Sequence, residues 1–329
     1  MTLPATAQGR LLGDIGGTHA RLAWQPAPGA EIGDAQVLRT ADHATLEAAL
    51  RHYLRSAGLP PPAEAAIAIA NPVVGDQVRM TNHDWAFSIE ALRQSLGLQR
   101  FVVINDFTAL ALALPALPQA DLRAVGRGSV QPGFAKAVIG PGTGLGASGL
   151  LPDGHGGWVP LEGEGGHVTL AARTAREWAV LEWLEARFGH ASAERAISGQ
   201  GLEALHAALA ALDGAPSDAL DAAAITRAAL QDQAPRAVEA LNLMCAFLGT
   251  VCGDLALTLG ARGGVYLAGG ILPRLGGFLD ASPFRARFEA KGRFADYLAG
   301  IATLLIVAPS SPALLGAQRA LDAPPRRAY

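Results

Sequence analysis

Short apolar runs alternate with stretches of helical spacing along most of the chain. Leu11-Leu12 runs into a glycine-rich turn, and Arg21 to Trp24 resumes an extended pattern. Leu46 to Leu54 has helical spacing, Pro60-Pro61-Pro62 breaks it, and Ala66 to Ala70 reads as a buried strand. Phe101 to Ile104 is another short run, rich in β-branched residues, that ends abruptly at Asn105-Asp106. Pro115 and Pro118 punctuate the next stretch, so a domain boundary is expected near residue 116. Beyond it the pattern predicts a strand at Ala137 to Ile139, helices over 174–188, 191–211 and 234–259, and a strand at Val265 to Ala268. Leu304 to Val307 is strand-like and Ala313 to Leu321 helical. Strands alternating with helices argue for an α/β architecture with mostly parallel pairing.

One internal repeat stands out. Gly13-Asp14-Ile15-Gly16-Gly17-Thr18 and Gly140-Pro141-Gly142-Thr143-Gly144 each follow an apolar strand, and they lie about 127 residues apart. Each leads into a second extended stretch, Ala20 to Trp24 or Ala147 to Leu151, which suggests duplicated halves. Glycines allow backbone N–H groups to approach a phosphate and to take positive φ values. A Walker A loop needs Gly-Lys-Ser/Thr, and neither turn contains a lysine. Gly142 to Ala147 fits the dinucleotide pattern GxGxxA, with Glu162 20 residues after Gly142. The crossover helix that this fingerprint requires is interrupted by Asp153-Gly154-His155-Gly156-Gly157. Two readings are left: hairpin turns that close on a nucleotide's phosphates, or tight hairpins without a ligand. Asp14 favours the first, because an acid at the end of a buried strand needs a cation or a donor.

Composition narrows the classes. Of the 329 residues 50% are hydrophobic and 17% charged, which excludes a disordered chain. The formal charge of −3 leaves no basic footprint for nucleic acid, so no nucleic-acid partner is expected. Mean hydropathy is +0.24, yet the apolar runs Ala109 to Leu114 and Ile301 to Ala308 are each stopped by a proline, so no membrane span is expected. Pro4, Gln8 and Arg10 rule out the apolar core of a secretory signal. Cys245 and Cys252 are seven residues apart in a helix-like stretch. Two turns separate them by about 10 Å, too far for a disulfide. They read as small buried residues in a reducing cytoplasm.

The polar candidates fall into three groups. Asp106 ends a strand, with Asn105 before it. A carboxylate there can accept a hydroxyl proton while Asn105 offers both donor and acceptor to a neighbouring hydroxyl; the alternative is that Asp106 caps a helix over Thr108 to Leu114. With an ordinary carboxylate pKa of about 3.9, Asp106 would be ionised at neutral pH. Glu164 and His167 have the Glu-x-x-His spacing of a helical metal site, but Gly163, Gly165 and Gly166 argue for a loop that presents both to a polyol. Glu194 is expected on a helix after His190, with Ser192 as its cap, either facing a ligand or exposed and paired with Arg195. His83 and His155 read as loop residues, and Asn71 and Asn82 as residues that shape the pocket.

These blocks, taken in order, resemble a known family. Gly13 to Thr18 resembles the first phosphate motif of the hexokinase/actin-like ATPase superfamily, Gly140 to Gly144 the second, and Gly264-Val265-Tyr266-Leu267-Ala268-Gly269-Gly270 the adenosine motif. Met80-Thr81-Asn82-His83-Asp84-Trp85, Ile104-Asn105-Asp106-Phe107, Gly163-Glu164-Gly165-Gly166-His167 and Ser192-Ala193-Glu194-Arg195 are similar to the bacterial ATP-dependent glucokinases. The resemblance runs from about residue 11 to the C-terminal helix. Two distant cysteines cannot supply the Cys-rich zinc motif of related sugar kinases, which points to the zinc-free branch.

The resemblance implies a two-domain, ribonuclease H-like α/β fold with a central cleft. Residues 1–116 plus 305–329 would form the small domain and 117–304 the large one. It implies a cytoplasmic homodimer that takes ATP, Mg2+ and D-glucose. Asp106 would be the base toward the 6-hydroxyl, and Asn105, Asp106, Glu164, His167 and Glu194 would contact glucose. Gly13, Asp14, Ile15, Gly16, Gly17 and Thr18, with Gly142, Thr143 and Gly144, would hold phosphates, Asp14 placing Mg2+ directly or through water. Gly269 and Gly270 would pass close to the adenosine. Domain closure, as in the family, would keep water from acting as phosphoryl acceptor. Two rivals are a kinase for another hexose and a nicotinamide-dependent oxidoreductase resting on the GxGxxA match. A sugar-responsive transcription factor would need a DNA-binding segment, and 12 residues precede Gly13. Polyphosphate as donor would call for a basic track, and no dense Lys/Arg run is present.

Overall fold

The computed structural model describes residues 9–81, 83–216 and 218–323. Pro4, Gln8 and Asn82 lie outside the described residues. The chain forms two compact units. One ends at Leu117 and takes in the C-terminal stretch from Ala308, and the other is Pro118–Val307.

The first unit begins with strands β1 (Arg10–Ile15), β2 (His19–Gln25) and β3 (Gly33–Arg39) and helix α1 (Leu46–Ser56). Next come β4 (Glu64–Ile69), the short ribbon β5 (Gln77–Arg79) and β6 (Ala86–Ser88), helix α2 (Ile89–Ser95), β7 (Arg100–Asn105) and α3 (Asp106–Ala113). The main sheet has the order β3-β2-β1-β4-β7. Alternation along β1 sends Leu11 and Ile15 to a core with Leu50, Tyr53 and Ile67, while Leu12 and Ala66 face the opposite side.

The second unit runs β8 (Leu122–Ala124), β9 (Lys136–Pro141), β10 (Leu145–Pro152) and β11 (Trp158–Leu161). Helices α4 (Ala175–Phe188), α5 (Gly199–Leu212), α6 (Ala222–Leu230) and α7 (Pro235–Leu259) come next, then β12 (Val265–Leu267), the short helices α8 (Gly277–Ala281), α9 (Phe284–Glu289) and α10 (Ala295–Ala299), and β13 (Thr303–Ile306). Its sheet order is β11-β10-β9-β12-β13-β8. Both sheets share one plan. A three-stranded antiparallel meander opens on the glycine-turn hairpin, its first strand pairs in parallel with the next strand and that one with another, and the second sheet adds β8 as an antiparallel edge. The pairing is therefore mixed rather than mostly parallel, because each glycine turn is too short for the crossover that a parallel neighbour needs.

Helix α7 is long and apolar enough to cross a membrane by length and composition, but 78% of its most apolar window is buried in the unit. It is the central core helix, carrying Met244, Phe247 and Leu248, and Cys245 and Cys252 are free thiols buried along it. The last element, α11 (Pro312–Asp322), belongs to the first unit. Leu314, Ala317 and Leu321 cover Leu12 and Ala66. A Cβ on Gly316 would lie 1.7 Å from the Ala109 carbonyl oxygen, so glycine is what lets α11 pack along α3.

Candidate active site

In the first unit, strand register brings two acids to the same end of the sheet. Asp14 pairs with Ala68 and Ala68 with Ile104; one step further, Ile15, Ile69 and Asn105 align. Asp106 comes directly after Asn105. Both acids therefore lie at the carboxyl ends of parallel strands, where open α/β sheets bind ligands.

Asn105, not Asp106, is the cap of α3. Its Oδ1 accepts the N–H groups of Phe107 at 2.9 Å and Thr108 at 3.1 Å. The strand ends at Asn105, and Asp106 is the first helical residue, accepting on Oδ1 from Phe107 N at 3.0 Å and from Asn105 Nδ2 at 3.1 Å. This corrects the reading that Asn105 offers a substrate both donor and acceptor, because its acceptor is engaged in capping. Asn71 Oδ1 accepts from the backbone and hydroxyl of Thr81, at 2.9 and 2.6 Å, and so shapes the loop beside Asn105.

Asp14 has two protein donors. Ser311 Oγ donates to Oδ2 at 2.6 Å, and Arg21 pairs with the same oxygen at 3.3 Å. The reading of the sequence missed both. Arg21 faces Asp14 across the β1–β2 hairpin, so the pairing pattern held a signal for it. For Ser311, far along the chain, there was none. Thr40 pins the turn, its Oγ1 donating to Gly17 O at 2.7 Å and its N–H to Thr18 O at 3.1 Å. Ile15 is fully buried beneath the turn.

In the second unit, the β9–β10 turn is closed by Gly142 N–H to Gly144 O at 2.8 Å, and Gly142 O accepts from Gly199 N at 2.9 Å. Glu194 lies in a turn segment, not on a helix: α5 starts at Gly199, with Ser198 as its cap. The cause is backbone pairing, since Ala193 N donates to Val168 O and Glu194 N to Gly166 O, each at 2.8 Å. Glu194 Oε2 accepts from Leu145 N at 2.9 Å. Arg195 instead stacks on Phe188, its guanidinium carbon 4.4 Å from the ring centre. Glu164 and His167 are exposed on a single 3₁₀ turn, as a loop presenting both would require. A Cβ on Gly166 would lie 2.0 Å from Leu145 O, so glycine lets this loop lie on β10. The structure thus brings Glu164, His167, Glu194 and the 142–144 turn together around Leu145 and Gly166.

The adenosine motif adjoins that turn. A Cβ on Gly140 would meet Ala268 C at 2.5 Å, and Gly269, at φ +83°, passes equally close to Pro141. Gly13, Gly16, Gly142 and Gly144 do not take positive φ. Space is what glycine supplies at two of them: a Cβ on Gly13 would lie 2.5 Å from Ile67 Cδ1 and one on Gly144 2.4 Å from Glu194 Oε2, whereas Gly16 and Gly142 have no such close neighbour. A cavity of about 520 Å³ opens beside Gly142 and Thr143, with Gln200, Thr226, Arg227 and Ile271 in its walls.

His83 and His155 are loop residues: His83 packs edge-on against Trp85, and His155 sits in the turn organised by Asp153. Among the described residues, no group of three or more His, Cys, Asp or Glu side chains could hold a metal by itself. The donor set at Asp14 still fits Mg2+, which in phosphoryl-transfer sites takes one or two carboxylates and completes its shell with phosphates and water. The dinucleotide reading fails, since β10 occupies the place of its helix.

The glucokinase family model matches residues 11–324. A glucokinase from Aromatoleum aromaticum is 57% identical over 314 residues, covering 95% of this chain and 94% of its own. One from Chromobacterium violaceum is 54% identical over 307 residues, 93% of this chain and 87% of its own. The crystal structure of a glucokinase from an Antarctic psychrotroph superposes with a TM-score of 0.86 at 35% identity, covering 96% of this chain and 99% of that one.

Proposed function

The chain belongs to the glucokinase family, and we propose that Asp106 is the base of its reaction. The enzyme transfers the γ-phosphoryl group of ATP to D-glucose, giving glucose 6-phosphate and ADP. Asp106 takes the proton of the 6-hydroxyl as that oxygen attacks the γ-phosphorus. The observation that carries this reading is the position of Asp106 as the first residue of α3, fixed by Phe107 N–H and the Asn105 amide. General-base assistance of this kind contributes about 10²–10⁴ in rate. Positioning and charge neutralisation supply the rest, because phosphoryl transfer leaves a protein little covalent chemistry to perform.

The Asn105 amide donates to a neighbouring sugar hydroxyl, its carbonyl staying on the helix. Glu164, His167 and Glu194 take the remaining hydroxyls, Glu194 with Oε1 because Leu145 N–H holds Oε2. The Gly13–Thr18 and Gly142–Gly144 turns hold phosphates, and the adenosine lies along Gly269-Gly270 in the cavity beside Thr143 and Ile271. Asp14 holds Mg2+, which when bound neutralises phosphate charge. As in the family, the enzyme works as a cytoplasmic homodimer, and its buried free thiols suit a reducing compartment.

The test is ADP release from Mg-ATP against glucose, mannose, fructose, N-acetylglucosamine and no sugar. Strong turnover with glucose alone is expected. Preferred turnover with another sugar would overturn the substrate, and no sugar-dependent turnover from folded protein would overturn the reaction.

A further inference from the structure

We infer that Ser311, on the returning C-terminal segment, is a positioning residue for Asp14: its hydroxyl fixes the carboxylate in the orientation that receives the metal–nucleotide. The inference rests on the reading of Asp14 as the Mg2+-placing residue.

Ser311 occupies the cap position of α11 with extended backbone, φ −70° and ψ 114°, yet its side chain makes no cap bond. A serine there ordinarily accepts a backbone N–H of the first turn. Here the hydroxyl donates to Asp14 Oδ2 at 2.6 Å instead. The geometry of β1 explains why the two meet. Leu12 and Asp14 are two residues apart and so share one face of the sheet. Leu12 packs against α11, and Asp14 is thereby directed to the amino end of the same helix.

The donor is held rigidly. Gly316 is pressed on the Ala109 carbonyl. At the other end of α11, Arg100 donates to the carbonyl oxygens of Leu321 at 2.7 Å and Ala323 at 2.8 Å, and Arg10 pairs with Asp322 at 2.6 Å. The helix can neither slide nor turn without breaking these contacts. The second donor to Oδ2 is Arg21, at a longer 3.3 Å and on a side chain 46% exposed, against 14% for Asp14. A mobile arginine cannot define the carboxylate plane as a short bond from a fixed hydroxyl does. With Oδ2 committed to Ser311, Oδ1 is the oxygen left for the metal and its water. The same helix packs along α3, whose first residue is Asp106, so one element supports both acids.

The test uses the full-length enzyme with Ser311→Ala, Ser311→Thr and Asp14→Asn. Mn2+–ADP binding is followed by electron paramagnetic resonance, glucose binding by tryptophan fluorescence, and thermal unfolding in parallel. Ser311→Ala is expected to weaken Mn2+–ADP binding about tenfold, as loss of an outer partner of a metal ligand does. Glucose binding should be unchanged, and Ser311→Thr, which keeps the hydroxyl, should restore metal–nucleotide binding. If Asp14→Asn leaves Mn2+–ADP affinity intact, the underlying reading of Asp14 fails. If Asp14→Asn weakens binding and Ser311→Ala does not, the inference about Ser311 fails alone. Equal losses of glucose and Mn2+–ADP binding in Ser311→Ala, with a lowered Tm and no rescue by threonine, would reduce the residue to a structural role.

Discussion

Glu194 receives the backbone N–H of Leu145 on Oε2 at 2.9 Å, and this bond joins the carboxylate proposed to bind the sugar to the second glycine turn. The side chain cannot swing without leaving a backbone donor unpaired. Glu194→Gln keeps an acceptor for Leu145, whereas Glu194→Ala removes it. Steady-state kinetics should rank the two, with the glucose KM rising about tenfold or more in the alanine variant and less in the glutamine variant. A hydrogen bond to a charged group is worth about 1.5–3 kcal/mol, which sets that scale. Equal effects of both variants would remove the coupling.

Gly144 should be sensitive for the same reason. A Cβ there would sit 2.4 Å from Glu194 Oε2. Gly144→Ala is expected to displace the carboxylate and to raise the glucose KM as Glu194→Ala does, without touching the sugar itself. An unchanged glucose KM would mean that the side chain relaxes freely.

Asn105 caps α3 and is proposed to bind glucose through its amide, and the two roles can be separated. Asn105→Ala should lower stability by about 1 kcal/mol through loss of the cap. Asn105→Ser should retain most of that stability and still lose glucose affinity, because the amide is gone. Denaturant unfolding and glucose titration of both variants provide the check.

Gly316 tests the seat of the C-terminal helix. With the Ala109 oxygen 1.7 Å from the added carbon, Gly316→Ala must push α11 away from α3. A cost of about 1–3 kcal/mol is typical of such overpacking. Thermal unfolding should show the loss, and a Tm equal to that of the wild type would exclude the close approach.

Lys136 gives the fold a dependence on alkaline pH. Its ammonium is buried, with the Gly263 carbonyl and the Tyr266 hydroxyl each at 3.2 Å and the Trp158 and Tyr266 rings beside it. Burial lowers its pKa below the usual 10.5. Between the lowered value and 10.5 the unfolded chain holds more protons than the folded one, so this group's contribution becomes more favourable as pH rises. The stability of the wild type relative to Lys136→Met should therefore increase between neutral pH and about 10. Denaturant unfolding across that range measures it, and a pH-independent difference would show that the group does not titrate differently in the two states.

Much of this architecture was legible because its signals are local. A strand, a glycine turn and a second strand, twice over, gave both hairpins, and Asn105-Asp106 marked the junction of β7 and α3. The Glu194 segment misled because Ala191, Ala193, Ala196 and Ile197, all buried, imitate the apolar spacing of a helix. Its true partners, Val168 and Gly166, are in another loop. Ser311 was illegible for a related reason: its bond to Asp14 depends on where α11 returns to the sheet. Helix α7 was expected over 234–259, but not as one apolar enough to span a membrane, because Asn242, Thr250 and Asp254 interrupt its apolar runs.

The most direct test of the account is Asp106→Asn. The substitution keeps size and hydrogen-bonding capacity but removes the proton acceptor. Turnover should fall at least about a hundredfold, while glucose binding, followed by intrinsic fluorescence, stays close to that of the wild type. Near-normal turnover in a folded, glucose-binding variant would contradict the assignment of Asp106 as the base.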